Sequence, residues 1–200
     1  MSQTSSRLAE HLIHLGRSGC VAGEADTLTP AQWAALRFVA SANRRSATPG
    51  AFARFHGVTK GTASQTVRAL IRKGLVDAQP GSADARARLL TLTAAGRAKL
   101  NDDPIAPLVC AIDAMEPREQ RALEDALGAL AARLHAVSAH RSVFGVCAAC
   151  CNLERQSGQP PRCRAYDEPV MAEQAERFCE AFDPDGRPDS AGTTHRPSRG

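Results

Sequence analysis

The chain has 200 residues, 43% of them hydrophobic, and a formal net charge of +4, which allows one ordinary domain plus a small module. Only 4% is aromatic while alanine and leucine abound, which favours helices. No stretch approaches the roughly 18 apolar residues of a membrane span, and the N-terminal MSQTSSRLAEHLIHLG has no apolar signal core. The expectation is a cytoplasmic chain without a membrane partner, basic enough to permit a polyanionic one.

Leu8, Leu12 and Leu15 recur at helical spacing and predict a first helix over 5–20. Thr29-Pro30 starts a second helix, with Thr29 as N-cap and Trp33, Leu36, Val39 and Ala40 inward. Thr48-Pro49 repeats that signal and opens a short helix that Gly57 ends. Thr59 caps the next, with Ala63, Val67, Leu70 and Ile71 inward and Gly74 as its stop. Two short helices joined by a few residues including a glycine outline a helix-turn-helix. Val76–Gln79 and Arg88–Leu92 read as strands around the turn-rich tip Pro80-Gly81-Ser82-Ala83-Asp84, a hairpin wing.

Thr93 caps a helix running past Asp102 to about Ala114, interrupted by Pro104 and Pro107. Pro117 opens the last long helix, where Leu123, Leu127, Leu130, Leu134 and Val137 form a stripe, core or dimer seam. Residues 140–182 hold five cysteines and few leucines, and 183–200 are nearly devoid of apolar side chains, an expected disordered tail. The fold class expected is mainly α: a winged helix-turn-helix (α plus one β-hairpin wing) with long flanking helices and a small cysteine-rich module. The predicted division is 1–28, 29–100, 101–139, 140–182 and 183–200.

Without its apolar side chains, the helix after Thr59 presents Lys60, Gly61, Thr62, Ser64, Gln65 and Arg68. These side chains can read base edges or hold phosphates; Gln65 suits adenine and Arg68 suits guanine or phosphate. An ordinary solvated face is the competing reading, and the position between a short helix and a wing favours DNA. No phosphate loop or nucleophile elbow is present, and the six histidines have no metal or triad spacing, so no enzyme is expected.

The stretches LTPAQWAALRFVA, VTKGTASQTVRALIRKGLV and DARARLLTLTAAG, in this order, resemble the multiple-antibiotic-resistance regulator (MarR) family of winged helix-turn-helix proteins over about residues 5–138. The resemblance implies a homodimer built from the N-terminal helix (within 1–28) and the two long C-terminal helices (101–139). It also implies double-stranded DNA with a pseudo-palindromic operator as partner, and usually repression relieved by a signal. Arg86 resembles the family's minor-groove arginine, with Asp84 orienting it. Where the family often has two arginines after the aspartate, Ala85 takes the first place, which shifts weight to Arg54, Arg72 and Arg88.

Cys20 and Cys110 sit in or beside helices, where cysteine commonly packs as a small hydrophobe. Cys147-x2-Cys150-x12-Cys163-x15-Cys179 instead supplies four thiolates, beginning with the Cys-x2-Cys knuckle common in zinc and iron–sulfur sites. The extension also looks like one carried by some MarR-type regulators. Cys151 directly follows Cys150 and is expected to point elsewhere. Zinc ribbons usually offer two Cys-x2-Cys knuckles; here there is one, and the second pair is split by 15 residues. Cys179 is expected on a helix starting at Glu168-Pro169, so with Phe144 in an apolar wrap an iron–sulfur cluster is the favoured cofactor. It would sense oxygen, nitric oxide, redox state or iron. Two alternatives stand: a metal-free thiol switch, and a small-molecule-responsive repressor in which zinc holds the extension onto the dimerisation helices.

Overall fold

The computed structural model describes residues 2–18, 28–80, 88–137, 144–156 and 158–184. The expected order of elements is present: α1 Gln3–Ser18, α2 Pro30–Ser41, α3 Pro49–His56, α4 Lys60–Arg72, then the antiparallel pair β1 Val76–Pro80 and β2 Arg88–Leu92. Thr29 closes a capping box with Gln32, and Thr48, Thr59 and Thr93 each accept a hydrogen bond from the backbone three residues on. Gly57 ends α3 in the left-handed region, φ 64°, a conformation that costs other residues more.

One core joins these elements. Trp33 and Leu36 of α2, Phe52 of α3, Leu70 of α4, and Val76 and Leu90 of the wing are all buried. Thr93 donates to the Gly74 carbonyl at 2.7 Å and caps α5 (Ala94–Lys99), which brings Gly96 against the Leu75 carbonyl. A side chain at Gly96 would overlap that oxygen.

The helix expected from Thr93 to Ala114 is divided. After α5 come a 3-10 turn, Leu100–Asp102, and α6, Ala106–Asp113, with Pro104 in the gap and Pro107 in the first turn of α6. Asp103 in that gap is nearly buried, accepts from Ile105 N at 3.0 Å and pairs with Arg37 of α2 at 2.8 Å. α7 runs Pro117–Val137. Leu8, Leu12 and Leu15 of α1, Val109 of α6, and Leu127, Leu130 and Leu134 of α7 remain exposed in the single chain.

Residues 144–184 form a set of two-residue strand pairings. β3 (Gly145–Val146) pairs with β7 (Phe178–Cys179), and β4 (Leu153–Glu154), β5 (Arg162–Cys163) and β6 (Glu168–Pro169) form a small antiparallel sheet. The helix expected from Glu168-Pro169 through Cys179 is therefore a correction. Glu168-Pro169 is strand, the helix α8 is a single turn, Ala172–Ala175, and Cys179 is on β7. The backbone groups that would have extended the helix are used across chain instead: Phe178 pairs with Val146, and its carbonyl accepts from Asn43 N at 2.8 Å. The module also reaches one residue further than expected, because Asp183 is buried and its carbonyl accepts from Cys151 N at 2.9 Å. The tail expected to be disordered lies, from 185 onward, outside the described residues.

Among the described residues, the bonds that hold this module run to α2, the α2–α3 loop and α3, where the zinc alternative expected the dimerisation helices. Arg177 donates to the Ala40 carbonyl, Arg44 N to Gln174 Oε1 at 2.7 Å and Glu180 N to Ser46 Oγ at 2.9 Å. Arg45 makes a bidentate pair with Glu168 and lies 4.6 Å over the Tyr166 ring. Phe38 and Phe55 meet Phe144 edge-on, and Phe55 also packs on Phe178. The loop supplies open backbone groups, and α2 and α3 supply the aromatic side chains Phe38 and Phe55, the two things a module with almost no core of its own needs.

Candidate nucleic-acid interface and thiol centre

On α4, Ala63, Val67 and Leu70 are buried and fix which side faces out. Lys60, Thr62, Gln65 and Arg68 are exposed, and Ser64 is half-buried. Thr62 is partly committed to its own helix, since its hydroxyl shares a 2.9 Å hydrogen bond with that of the N-cap Thr59. Arg68 and Ser64 border a shallow cleft of about 210 Å3 whose far side is Arg88 and Leu90 of the wing. The crease between recognition helix and wing thus carries two guanidinium groups, suited to phosphate. Asp84 and Arg86, at the wing tip, lie outside the described residues, as does Cys20. Arg72 and Arg88 are exposed, as a backbone contact requires. Arg54 departs from the expectation: it is ion-paired with Glu180 of the cysteine module.

Cys147, Cys150 and Cys179 are buried, Cys163 is half-buried, and all four are thiols rather than disulfides. They share one neighbourhood. Cys147 and Cys179 hydrogen-bond through their sulfurs, and Cys150 and Cys163 act electrostatically on them. Each sulfur also receives donors. Asn43 Nδ2 donates to Cys147 at 3.6 Å and Asp183 N to Cys150 at 3.4 Å. Tyr166 and Ala165 backbone amides serve Cys163, and that of Ala181 serves Cys179. The hydrogen bond from Cys179 brings the Cys147 thiol down to about 7, and the same bond with burial pushes Cys179 up, so Cys147 is the more acidic of the pair. Burial also pushes Cys163 up.

Soft sulfur donors backed by N–H groups suit zinc or iron–sulfur chemistry. Among the described residues, however, no three or more His, Cys, Asp or Glu side chains stand as a closed ligand group. The donor chemistry fits such a centre, and the closed shell is not formed by the thiols as they stand. Cys151 is half-buried and its amide donates to the Asp183 carbonyl at 2.9 Å. Cys110, expected to pack as a small hydrophobe, is exposed on α6 in the single chain.

Sequence reading missed Asn43, Ser46, Arg45, Glu168 and Glu180. The only signal was the polar run Ser41-Ala-Asn-Arg-Arg-Ser46 between two helices, which has no periodicity to interpret.

Residues 26–87 match the model of the MarR family. No curated protein matches the chain. Among solved structures, a MarR transcriptional regulator from Methanosarcina mazei Go1 is similar with a TM-score of 0.53 and 18% identity, covering 66% of this chain and 99% of that one. Streptococcus pneumoniae FabT in complex with DNA gives 0.48 and 21%, covering 67% and 99%. BldR from Sulfolobus Solfataricus gives 0.49 and 20%, covering 66% and 99%. Over its helix-turn-helix and first wing strand the chain matches the MarR family model, and it shares its fold with the Methanosarcina regulator.

Proposed function

We propose that the protein is a MarR-type, non-enzymatic regulator of transcription that binds duplex DNA as a homodimer. The observation that carries this reading is the polar outer face of α4, Lys60, Gln65 and Arg68, set beside Arg88 of the wing across one crease. A helix of this composition enters a major groove, where Gln65 and Arg68 read base edges; Arg86, preceded by Asp84, follows into the adjacent minor groove. The exposed leucines of α1 and α7 are the surface a second copy would cover, which sets two recognition helices about one turn of DNA apart.

Cys147, Cys150, Cys163 and Cys179 hold one metal centre in this reading, an iron–sulfur cluster that makes DNA binding respond to oxygen, nitric oxide, redox state or iron. When bound, such a group supplies a redox- or ligand-sensitive change in the bonding of the four sulfurs. Structural zinc is the second reading, and one observation favours it: Cys179 lies on a strand, which removes the helical placement that was one part of the case for a cluster.

The test is selection of duplexes from a randomised pool by the anaerobically purified dimer, followed by fluorescence anisotropy. A selected duplex bound at least about a thousandfold more tightly than random duplex supports the reading. Equal affinity for both overturns it.

A further inference from the structure

Asn43 belongs to the helix-turn-helix unit by sequence and to the thiol centre by contact. It is 8% exposed, with every polar group engaged. Its Nδ2 donates to Cys147 Sγ at 3.6 Å, and its Oδ1 accepts from Ser46 N at 2.8 Å. Its own N–H donates to the Phe178 carbonyl, beside Cys179, at 2.8 Å. Ser46, fully buried, accepts in turn from Glu180 N at 2.9 Å. Glu180 follows Cys179, whose sulfur bonds Cys147, so the circuit closes.

The same loop reaches the DNA-binding elements within two residues. Thr48, whose N donates to Ser46 O at 2.8 Å, caps α3. The Ala47 carbonyl accepts from Leu90 N of the wing at 2.7 Å. Glu180 also holds Arg54 of α3.

We propose that Asn43 is a positioning residue of the thiol centre, and that the loop 43–48 transmits the state of that centre directly to α3 and the wing. The proposal rests on the reading of the four cysteines as one centre. Losing the Cys147 sulfur leaves the Asn43 amide without its acceptor, and the loop loosens at the point where it fixes both the start of α3 and the second wing strand. The dimer seam need not take part.

Hydrogen exchange of the full-length chain tests this. Cys147→Ala should raise exchange at Asn43, Ser46 and Leu90 about tenfold or more, with α4 amides and the Cys110→Ala variant unchanged. Asn43→Asp keeps an oxygen for Ser46 N but presents oxygen to Cys147. It should fold, show the same local loss, and weaken zinc binding about 10–100-fold in competition with a chromophoric chelator. Unchanged exchange at those three amides in Cys147→Ala overturns the coupling, and so does a loss spread equally over α4. Wild-type zinc affinity in Asn43→Asp overturns the positioning role. If wild-type protein takes up neither zinc nor iron, the metal reading fails, and the exchange comparison, which needs no metal, still decides the coupling.

Discussion

Leu90 of the wing donates its N–H to the carbonyl of Ala47 at 2.7 Å, so the loop before α3 is bonded to the wing on one side and to the cysteine module on the other. The wing and the first helix of the helix-turn-helix therefore have a common anchor.

Arg68→Ala should weaken binding to a selected duplex by about 1–3 kcal/mol, the cost of a specific contact. Arg54→Ala should weaken it by less than about 1 kcal/mol, because Glu180 already engages that side chain, which is half-exposed. Anisotropy titrations at one salt concentration compare the two. Equal losses would place Arg54 on the DNA as well.

Leu127→Asp should convert the proposed dimer to monomer. Leu127 is 44% exposed in the single chain, so the substitution is harmless there, and only a covered seam makes an unpaired charge costly. Light scattering decides; a dimer that persists in this variant places the seam elsewhere.

Gly96→Ala should lower stability by about 1–3 kcal/mol, measured by thermal denaturation, because the new methyl group meets the Leu75 carbonyl and either α5 or β1 must shift. No sequence pattern announced this; a glycine in a Leu-Thr-x-x-Gly helix start is visible, but the oxygen it avoids comes from a residue more than a turn away in fold.

The Arg45 pair holds the Glu168 carboxyl below its ordinary 4.5. A depressed folded value means that its contribution is complete above 4.5 and is lost as pH falls through the folded value. Tyr166, the chain's single tyrosine, stacks against Arg45, and Trp33, the single tryptophan, is in the winged-helix core. On acidification the tyrosine signal should change before the tryptophan signal, and Glu168→Gln should remove that separation. Coincident transitions in the wild type would contradict the pairing.

The winged helix-turn-helix was legible because its information is local: threonine caps, Thr-Pro starts, glycine stops and leucine at helical steps. The module was legible only as a ligand pattern. Its strands are two residues long, too short for alternation to show, so Glu168 through Cys179 read as an acidic, alanine-containing helix. Its docking rests on pairs more than 100 residues apart, Asn43 with Cys147 and Arg45 with Glu168, which no window of sequence contains.

The central claim is that four particular thiols of this module form one centre, and metal content tests it most directly. Protein prepared without oxygen should carry one zinc or one iron–sulfur cluster per chain. Cys151→Ser should keep it, and serine at Cys147, Cys150, Cys163 or Cys179 should sharply reduce it, because a hydroxyl is a poor ligand for soft metals. Wild-type protein free of both iron and zinc, or Cys151→Ser losing metal as fully as the other four, would contradict the account.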